Sequence, residues 1–578
     1  MRTYGTIKHD PERREWVIEC EAQVTLRLKR WFGKISEKSF GQHRLSETVD
    51  NARDLEVFLM RYPLRMAAPV EAKVRSLADQ HRERTNVAQK LMAGRGKLKA
   101  VKLSLPLRMY QLTAVEMARA MRGLLLTDEL GLGKTAVAIG LLSHKDALPA
   151  LVVVPTSLPP QWVNELGRFA PDLHVHALKK GTPYDLEVGL RGVKVPKPDV
   201  IVSNYEKLSG WAETLAPYIR SIVFDEIQAL RLPGSQKYAA AMHLRERTNY
   251  RLGMSGSPIY NQGDEIHSVM EILRPGELGT RAEFLRERCG KVNMRGQASV
   301  IDPKALGEHM REEGMMLRRT RIEVGRQLPK MTRVPHIISA DLAALEKVSS
   351  ECRELALFIL GQGKKPEHLL KPKEGEPARS VNAQFLASEE LSWRLRQATG
   401  LAKAPFVADF VRLLVEGGER VLLYGWHREV YRIWQERLKD LNPVLYTGSE
   451  SVPQKVQAQK DFVDGRSKVL IMSLRAGVGL DGLQGICRTV VFGELDWSYG
   501  VHEQCEGRVH RDGQKEPVFA YYLNALVGSD PAVLDALGIK RGQLEGIRDP
   551  NADLVQKLQV DPDHIKKLAE AYLRQREA

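Results

Sequence analysis

Residues 123–142 read GLLLTDELGLGKTAVAIGLL. Four apolar residues, a glycine-bearing stretch and a second apolar run follow one another directly, which reads as a buried strand, a tight loop and an amphipathic helix. A loop of this kind points backbone N–H groups at phosphate. Gly131, Leu132 and Gly133 lie in it; Lys134 is placed to reach the β and γ oxygens and Thr135 to offer its hydroxyl to Mg²⁺. Asp128 stands where the strict GxxxxGK[ST] pattern has its first glycine.

Working outward, ALVVV (150–154), DVIV (199–202) and SIVF (221–224) are short continuous apolar runs separated by helical text, the pattern of buried parallel strands. The last of them ends in Asp225 and Glu226. A nucleotide hydrolase needs two carboxylates here with different duties: Asp225 in the Mg²⁺ shell, Glu226 to orient and deprotonate water. Further on, RVLLYG (420–425), KVLIMS (468–473) and RTVVFG (488–493) read as three more buried strands. They are followed by HEQCEGRVHRDGQ (502–514), whose Arg508 and Arg511 fall three apart on an expected helical face. Guanidinium groups suit the charge that spreads over a transferring phosphoryl group.

The chain has 578 residues, a formal net charge of +15 and 43% hydrophobic residues. That composition excludes a small disulfide-stapled module and a chain disordered throughout, and no apolar run is long enough for a membrane helix. Five well-separated cysteines, no CxxC pair and no apolar signal core at the N-terminus point to a reducing, intracellular compartment, cytoplasmic for a bacterial or viral protein. Residues 1–100 hold 21 basic and 13 acidic side chains, more than half of the excess charge. From Thr85 to Val115 there is no carboxylate, while Lys90, Arg95, Lys97, Lys99, Lys102 and Arg108 are basic. Both a nucleic-acid footprint and a solvated linker fit this run. The first 60 residues contain alternations, WVIE and VTLRL, that read as strands, and a charged helix is expected over 68–92. A Gly/Lys/Pro-rich stretch at 361–380 reads as an exposed loop. His174, His176, His502 and His510 have no third or fourth ligand at metal spacing. Trp426, Trp434 and Trp497 read as packing residues, with base stacking open for Trp497.

Taken together, the motifs resemble the Swi/Snf-like ATPases of helicase superfamily two over about residues 105–540. LRMYQ (107–111) is similar to the adenine-reading Gln motif, with Gln111 and Tyr110 beside the base; DELGLGKT (128–135) is similar to the family's own phosphate loop, which carries Asp128. VVPTSLPPQWVNEL (153–166) and SNYEKL (203–208) resemble first-lobe DNA motifs, implying Thr156, Ser157 and Tyr205 as DNA contacts. FDEIQ (224–228) resembles the acidic motif, with Gln228 at its usual histidine, and GMSGSPIYN (253–261) the coupling motif with Ser255, Gly256 and Ser257. MLRRTRIEVGRQLP (316–329) is similar to the stretch leaving the first lobe. SLRAGVGLDGLQ (473–484) resembles a second-lobe motif contacting DNA through Ser473 and Arg475 and ATP through Gly479, and ELDWSYGVHEQCEGRVHRDGQ (494–514) the arginine motif, with Gln504 in coupling.

The resemblance implies an α/β fold of two RecA-like lobes with reduced helical insertions and an N-terminal α+β extension. The expected division is a basic accessory region (1–104), lobe 1 (105–335, with a short helical insertion at about 275–315), a linker with helical protrusion (336–400), lobe 2 (401–545) and a helical tail (546–578). The implied function is an ATP- and Mg²⁺-dependent double-stranded-DNA translocase, active as a monomer on duplexes that include forked or branched forms. Lys134, Glu226, Arg508 and Arg511 are its catalytic residues, and Thr135 and Asp225 hold the metal. In wording the motifs are nearest the fork-remodelling, annealing-helicase branch. A strand-separating DNA or RNA helicase and a hydrolysis-deficient DNA-binding scaffold are the alternatives.

Overall fold

The computed structural model describes all residues except 1, 37, 189–193, 257–262, 293–297, 327, 363, 365, 367–382, 475–479, 481, 536 and 538–578. The described residues fall into two compact units divided between Gly325 and Arg326.

The first unit opens with a three-stranded antiparallel sheet, β1 (Gly5–Asp10), β2 (Glu15–Cys20) and β3 (His43–Ser46), in the order β1-β2-β3. Period-2 alternation buries Trp16 and Ile18 on one face of β2. The segment VTLRL, expected as a strand, instead lies in the helix Ala22–Trp31. Its apolar Val24 and Leu28 are four apart, and that spacing buries both on one helical stripe. Helices Val49–Arg61 and Ala68–Met92 complete this part, the latter matching the expected span. These elements close a core that includes Ile7, Trp16, Leu28, Phe58 and Val74. The described residues up to Met92 are therefore a folded part of the first unit, and the exposed basic side chains of the run, Lys90 to Arg108, begin in the last turn of its final helix.

The main sheet of this unit is parallel and seven-stranded, with β4 (Gly123–Leu126), β5 (Ala150–Val154), β6 (Val175–Ala177), β7 (Val200–Asn204), β8 (Ser221–Asp225) and β9 (Tyr250–Met254). A hairpin of β10 (Cys289–Val292) and β11 (Ala298–Val300) stands apart, and β12 (Met316–Leu317) returns to pair with β4. The order is β12-β4-β9-β8-β5-β7-β6. The four apolar runs read from the sequence are four of these strands, and β4, β5 and β7 are buried throughout. In such a sheet the loops leaving the C-terminal strand ends are where ligands bind. The stretch expected as a reduced helical insertion holds a helix (Arg281–Arg288), the hairpin and a second helix (Pro303–Glu312).

The second unit has six parallel strands in the order β13-β18-β17-β14-β16-β15. They are β13 (Met331–Ile337), β14 (Val421–Gly425), β15 (Val444–Tyr446), β16 (Val469–Ser473), β17 (Thr489–Phe492) and β18 (Val518–Asn524). The expected lobe boundary at 335 falls inside β13, which pairs with β18 along its full length and so belongs to the second sheet. Likewise the boundary at 400/401 falls inside one long helix, Ala383–Glu416, whose buried residues pack first on the helix Ser349–Ile359 and then on β14. The expected loop at 361–380 lies almost wholly outside the described residues, as does the tail.

Candidate active site

The loop after β4 is shaped by two glycines in left-handed conformation, Gly131 (φ 87°) and Gly133 (φ 77°), a region that costs other residues about 1 kcal/mol or more. Gly133 caps the helix Lys134–Leu142, so the helix's free N–H groups and positive end face the loop. Gln111, buried in the helix Met109–Met121, donates from Nε2 to the Leu132 carbonyl (3.1 Å), and the Tyr110 hydroxyl donates to the same oxygen (3.1 Å). The Arg108 N–H donates to Gln111 Oε1 at 2.9 Å. Both residues of the expected adenine-reading pair thus hold the phosphate loop. Lys134 donates from Nζ to the Asp128 carbonyl (2.7 Å) and makes no ion pair among the described residues. Displacement of water around it lowers its pKa, while Asp128, Glu226 and Asp225 pull the other way.

Asp225 ends β8. The buried Trp162 indole donates to its Oδ2 (2.9 Å), and the buried Tyr205 hydroxyl donates to its backbone carbonyl (2.8 Å). Burial, then the neighbouring Glu226 carboxylate, raises the Asp225 pKa well above the usual carboxylate range. Glu226 itself sits at φ 53°, ψ 54°, a left-handed conformation unusual outside glycine, held between β8 and the short helical turn Ile227–Leu230. Such strain, about 1–3 kcal/mol, clusters where a side chain must be aimed. Gln228 donates from Nε2 to Glu226 Oε2 at 2.5 Å, and its buried Oε1 meets no partner among the described residues. Ser255 and Gly256 are buried at the end of β9, where the Ser255 N–H donates to Leu126 O (3.1 Å) and ties that end to the start of the phosphate loop.

Of the expected DNA contacts in this unit, Thr156 and Ser157 are exposed just beyond β5. Tyr205 is a correction: its hydroxyl is spent inside the protein on Asp225, because β7 ends beside β5 and buries the ring. Ser257, Arg475 and Gly479 lie outside the described residues.

Sequence reasoning missed a clamp on the loop. Arg319 forms an ion pair with Asp128 through Nη2 and donates from Nε to its Oδ1 (3.0 Å). It also donates to the Tyr110 carbonyl and stacks its guanidinium over the Tyr110 ring (5.2 Å). Arg318 donates to Thr127 O (2.8 Å), and Arg321 pairs with Glu129 (3.0 Å). The basic run RRTR, brought back by β12 beside β4, thus holds the acidic residues of DEL, which is why a carboxylate is tolerated at position 128. The complementary charge of the two stretches was the available signal.

In the second unit the helix Tyr499–Glu506 carries the half-buried Gln504. Arg508 and Arg511 do not share its face as expected: the helix stops at Glu506 and both lie in the turns that follow. Arg508 donates to Leu480 O at 3.3 Å. Ser473 ends β16 half-buried. Glu506 is enclosed by Arg333, which donates to both carboxylate oxygens (2.8 and 2.7 Å), and by the Tyr522 hydroxyl (2.9 Å). Glu494 accepts from the backbone N–H groups of Trp426 (2.7 Å) and His427 (3.0 Å) and from the His427 ring (2.6 Å). The Trp497 indole donates to Ser392 (3.1 Å) and packs against the long helix, so it is a packing residue, and Trp434 is fully buried. The His176 ring meets the Tyr184 hydroxyl at 2.9 Å, and His502 is buried with its Nδ1 3.0 Å from Ser498 O. All five cysteines carry free thiols.

Residues 9–356, more than half of the chain, match the SNF2-related domain, and residues 403–513 match the helicase conserved C-terminal domain. The chain belongs to the SNF2-related ATPases. Its SNF2-related domain spans both the folded N-terminal part and the seven-stranded sheet, and its helicase C-terminal domain covers β14 to the arginine turns. Similar curated proteins include the DNA annealing helicase and endonuclease ZRANB3 of Bos taurus, 26% identical over 421 residues, 69% of this chain and 36% of that protein. Another is the SWI/SNF-related matrix-associated actin-dependent regulator of chromatin subfamily A-like protein 1 of Bos taurus, 28% identical over 425 residues, 72% of this chain and 42% of that protein. The matches thus take in well under half the length of those relatives. Among solved structures, the Sulfolobus solfataricus SWI2/SNF2 ATPase core in complex with dsDNA is 20% identical, with a TM-score of 0.36, covering 83% of this chain and 97% of that one. Among the described residues no helix is long and apolar enough to cross a membrane.

Proposed function

We propose that this SNF2-related ATPase is a double-stranded-DNA translocase that hydrolyses ATP with Mg²⁺ and couples turnover to DNA remodelling. The observation that carries the reading is the convergence of Lys134, Asp225 and Glu226 beyond the C-terminal ends of β4 and β8, with β9 between them, around a loop already shaped for phosphate. The residues fit the nucleotide and its metal. Lys134 has one neutral acceptor for its three N–H groups, and the Asp225 carboxylate makes no ion pair among the described residues. Bound Mg²⁺ supplies charge neutralisation to the β and γ oxygens.

The chain's own residues do the rest. Lys134 and the N–H groups at the start of its helix bind phosphate oxygens, and Thr135 and Asp225 hold the metal. Glu226, aimed by its left-handed backbone, orients the attacking water and takes its proton. Gln228 keeps that carboxylate in place. Arg508 and Arg511 are assigned to transition-state charge, and Thr156, Ser157 and Ser473 to the DNA backbone.

ATPase assays with duplex, forked and single-stranded DNA test the reading. Duplex or forked DNA should stimulate turnover, and Glu226→Gln should abolish the stimulated rate while DNA binding persists. Stimulation by single strands alone, with strand displacement, would favour a strand-separating helicase. Arg511→Ala should lower kcat more than it raises KM; a change confined to KM would remove the transition-state role.

A further inference from the structure

Far from the phosphate loop, three helices of the first unit bring together a set of buried side chains that the ATPase reading does not use. Asp50 comes from the helix Val49–Arg61, His81 from the buried stripe of Ala68–Met92, and Glu313 caps the helix Pro303–Glu312. His81 Nε2 lies 3.3 Å from Asp50 Oδ1 and 2.6 Å from Glu313 Oε2, with side-chain exposures of 7%, 7% and 12% for His81, Asp50 and Glu313. One potential ligand atom from each of the three lies within 4.8 Å of the others. The second Asp50 oxygen lies 3.4 Å from Nε2 of His309, one helical turn before Glu313.

Despite its short approach to Glu313, His81 Nε2 has no aligned hydrogen-bond partner among the described residues. An imidazole nitrogen and two carboxylate oxygens gathered within 4.8 Å of one another make a donor set that metal sites use. Two ionised carboxylates match the charge of a divalent ion, which on binding would take the place of the His81 proton. Mixed nitrogen and oxygen donors favour zinc-class ions over Mg²⁺ or Ca²⁺. Outer contacts are present too, since Thr85 donates to Glu313 Oε2 and Arg53 to Asp50 Oδ1, each at 3.5 Å.

We propose that Asp50, His81 and Glu313, with His309 beside Asp50, form a site for one divalent transition-metal ion of the zinc class. The ion would join the N-terminal helices to the segment 303–313, while Arg84–Glu277 (2.7 Å) and Ser46–Glu283 (2.6 Å) tie the N-terminal part to residues 277–283.

The test uses the full chain without nucleotide. It is stripped with chelator, reloaded with Zn²⁺, passed over a desalting column and measured for metal content; Co²⁺ titration is followed by visible absorption. One equivalent of zinc per chain is expected, with a rise in Tm on reloading and Co²⁺ bands of nitrogen/oxygen ligation. The isosteric Glu313→Gln should weaken retention at least about tenfold, the scale of a lost ligand or its support. His174→Ala, half-buried just before β6, should retain the metal. A folded wild-type chain that keeps no zinc and gives no Co²⁺ bands would overturn the proposal, leaving a protonated His81 bridging two carboxylates. Retention unchanged in both Glu313→Gln and His81→Ala would also overturn it, by placing the metal elsewhere.

Discussion

At the strand ends of the first unit, the half-buried Lys134 and Asp225 have neutral hydrogen-bond partners, a carbonyl and an indole N–H, and neither makes an ion pair among the described residues. In the second unit Glu506 meets Arg333, and Lys403 meets Asp530 at 2.6 Å while also donating to Leu523 O (2.8 Å). Desolvated charge without a counter-charge costs several kcal/mol, and it is retained where a ligand of opposite charge will arrive. Desolvated charge that is fully matched does a different job: it fixes which elements meet. Arg333 joins β13 to the helix Tyr499–Glu506, and Lys403 joins the long helix to the end of β18.

The largest effect should come from Lys134→Ala. Turnover should fall by about 10³-fold, roughly 4 kcal/mol, whereas stability to urea should be unchanged or higher because no ion pair is broken. A variant that unfolds instead would break the contrast. Next is Arg333→Ala, which strands Glu506: the second unit should lose about 3 kcal/mol by denaturant titration, with the first unit's transition in place. Loss below about 1 kcal/mol would show that Glu506 is not held as a structural charge.

Asp128→Asn sharpens the comparison inside the first unit, because Asp128 is its matched charge. With Arg319 left half-paired, about 2 kcal/mol should be lost and nucleotide affinity should weaken, read by nucleotide titration. An unchanged affinity would detach the clamp from the loop's shape. The smallest effect is expected for Gln228→Ala, about 1 kcal/mol in kcat through a less fixed Glu226, with KM for ATP unchanged.

Much of this site was legible in the sequence, because its parts sit at strand ends and strands of a parallel sheet read as continuous apolar runs. GLLL, ALVVV, SIVF and their neighbours place the loop, Asp225 and Glu226 without any knowledge of packing. VTLRL failed because five residues fit either period, and only the buried Val24 and Leu28 decide for helix. β13 and β18 were not read: β13 carries Arg333, Pro335 and His336 and is half-exposed, so its sequence lacks an apolar run. The partners of Asp128 and of His81 lie 191 and 232 residues away in sequence, beyond any local pattern.

The succession of strand, loop and helix at the phosphate site, its residue types and the family motifs are all readable in the amino-acid order, since they follow from local periodicity and short-range spacing. Which charges are matched follows from packing alone. It turned Tyr205 inward onto Asp225, set Arg319 on Asp128, carried β13 into the second sheet and gathered Asp50, His81, His309 and Glu313 in one buried place. Those outcomes depend on which elements pack together, and packing is settled by the joint burial of segments far apart in the chain, which no local window contains.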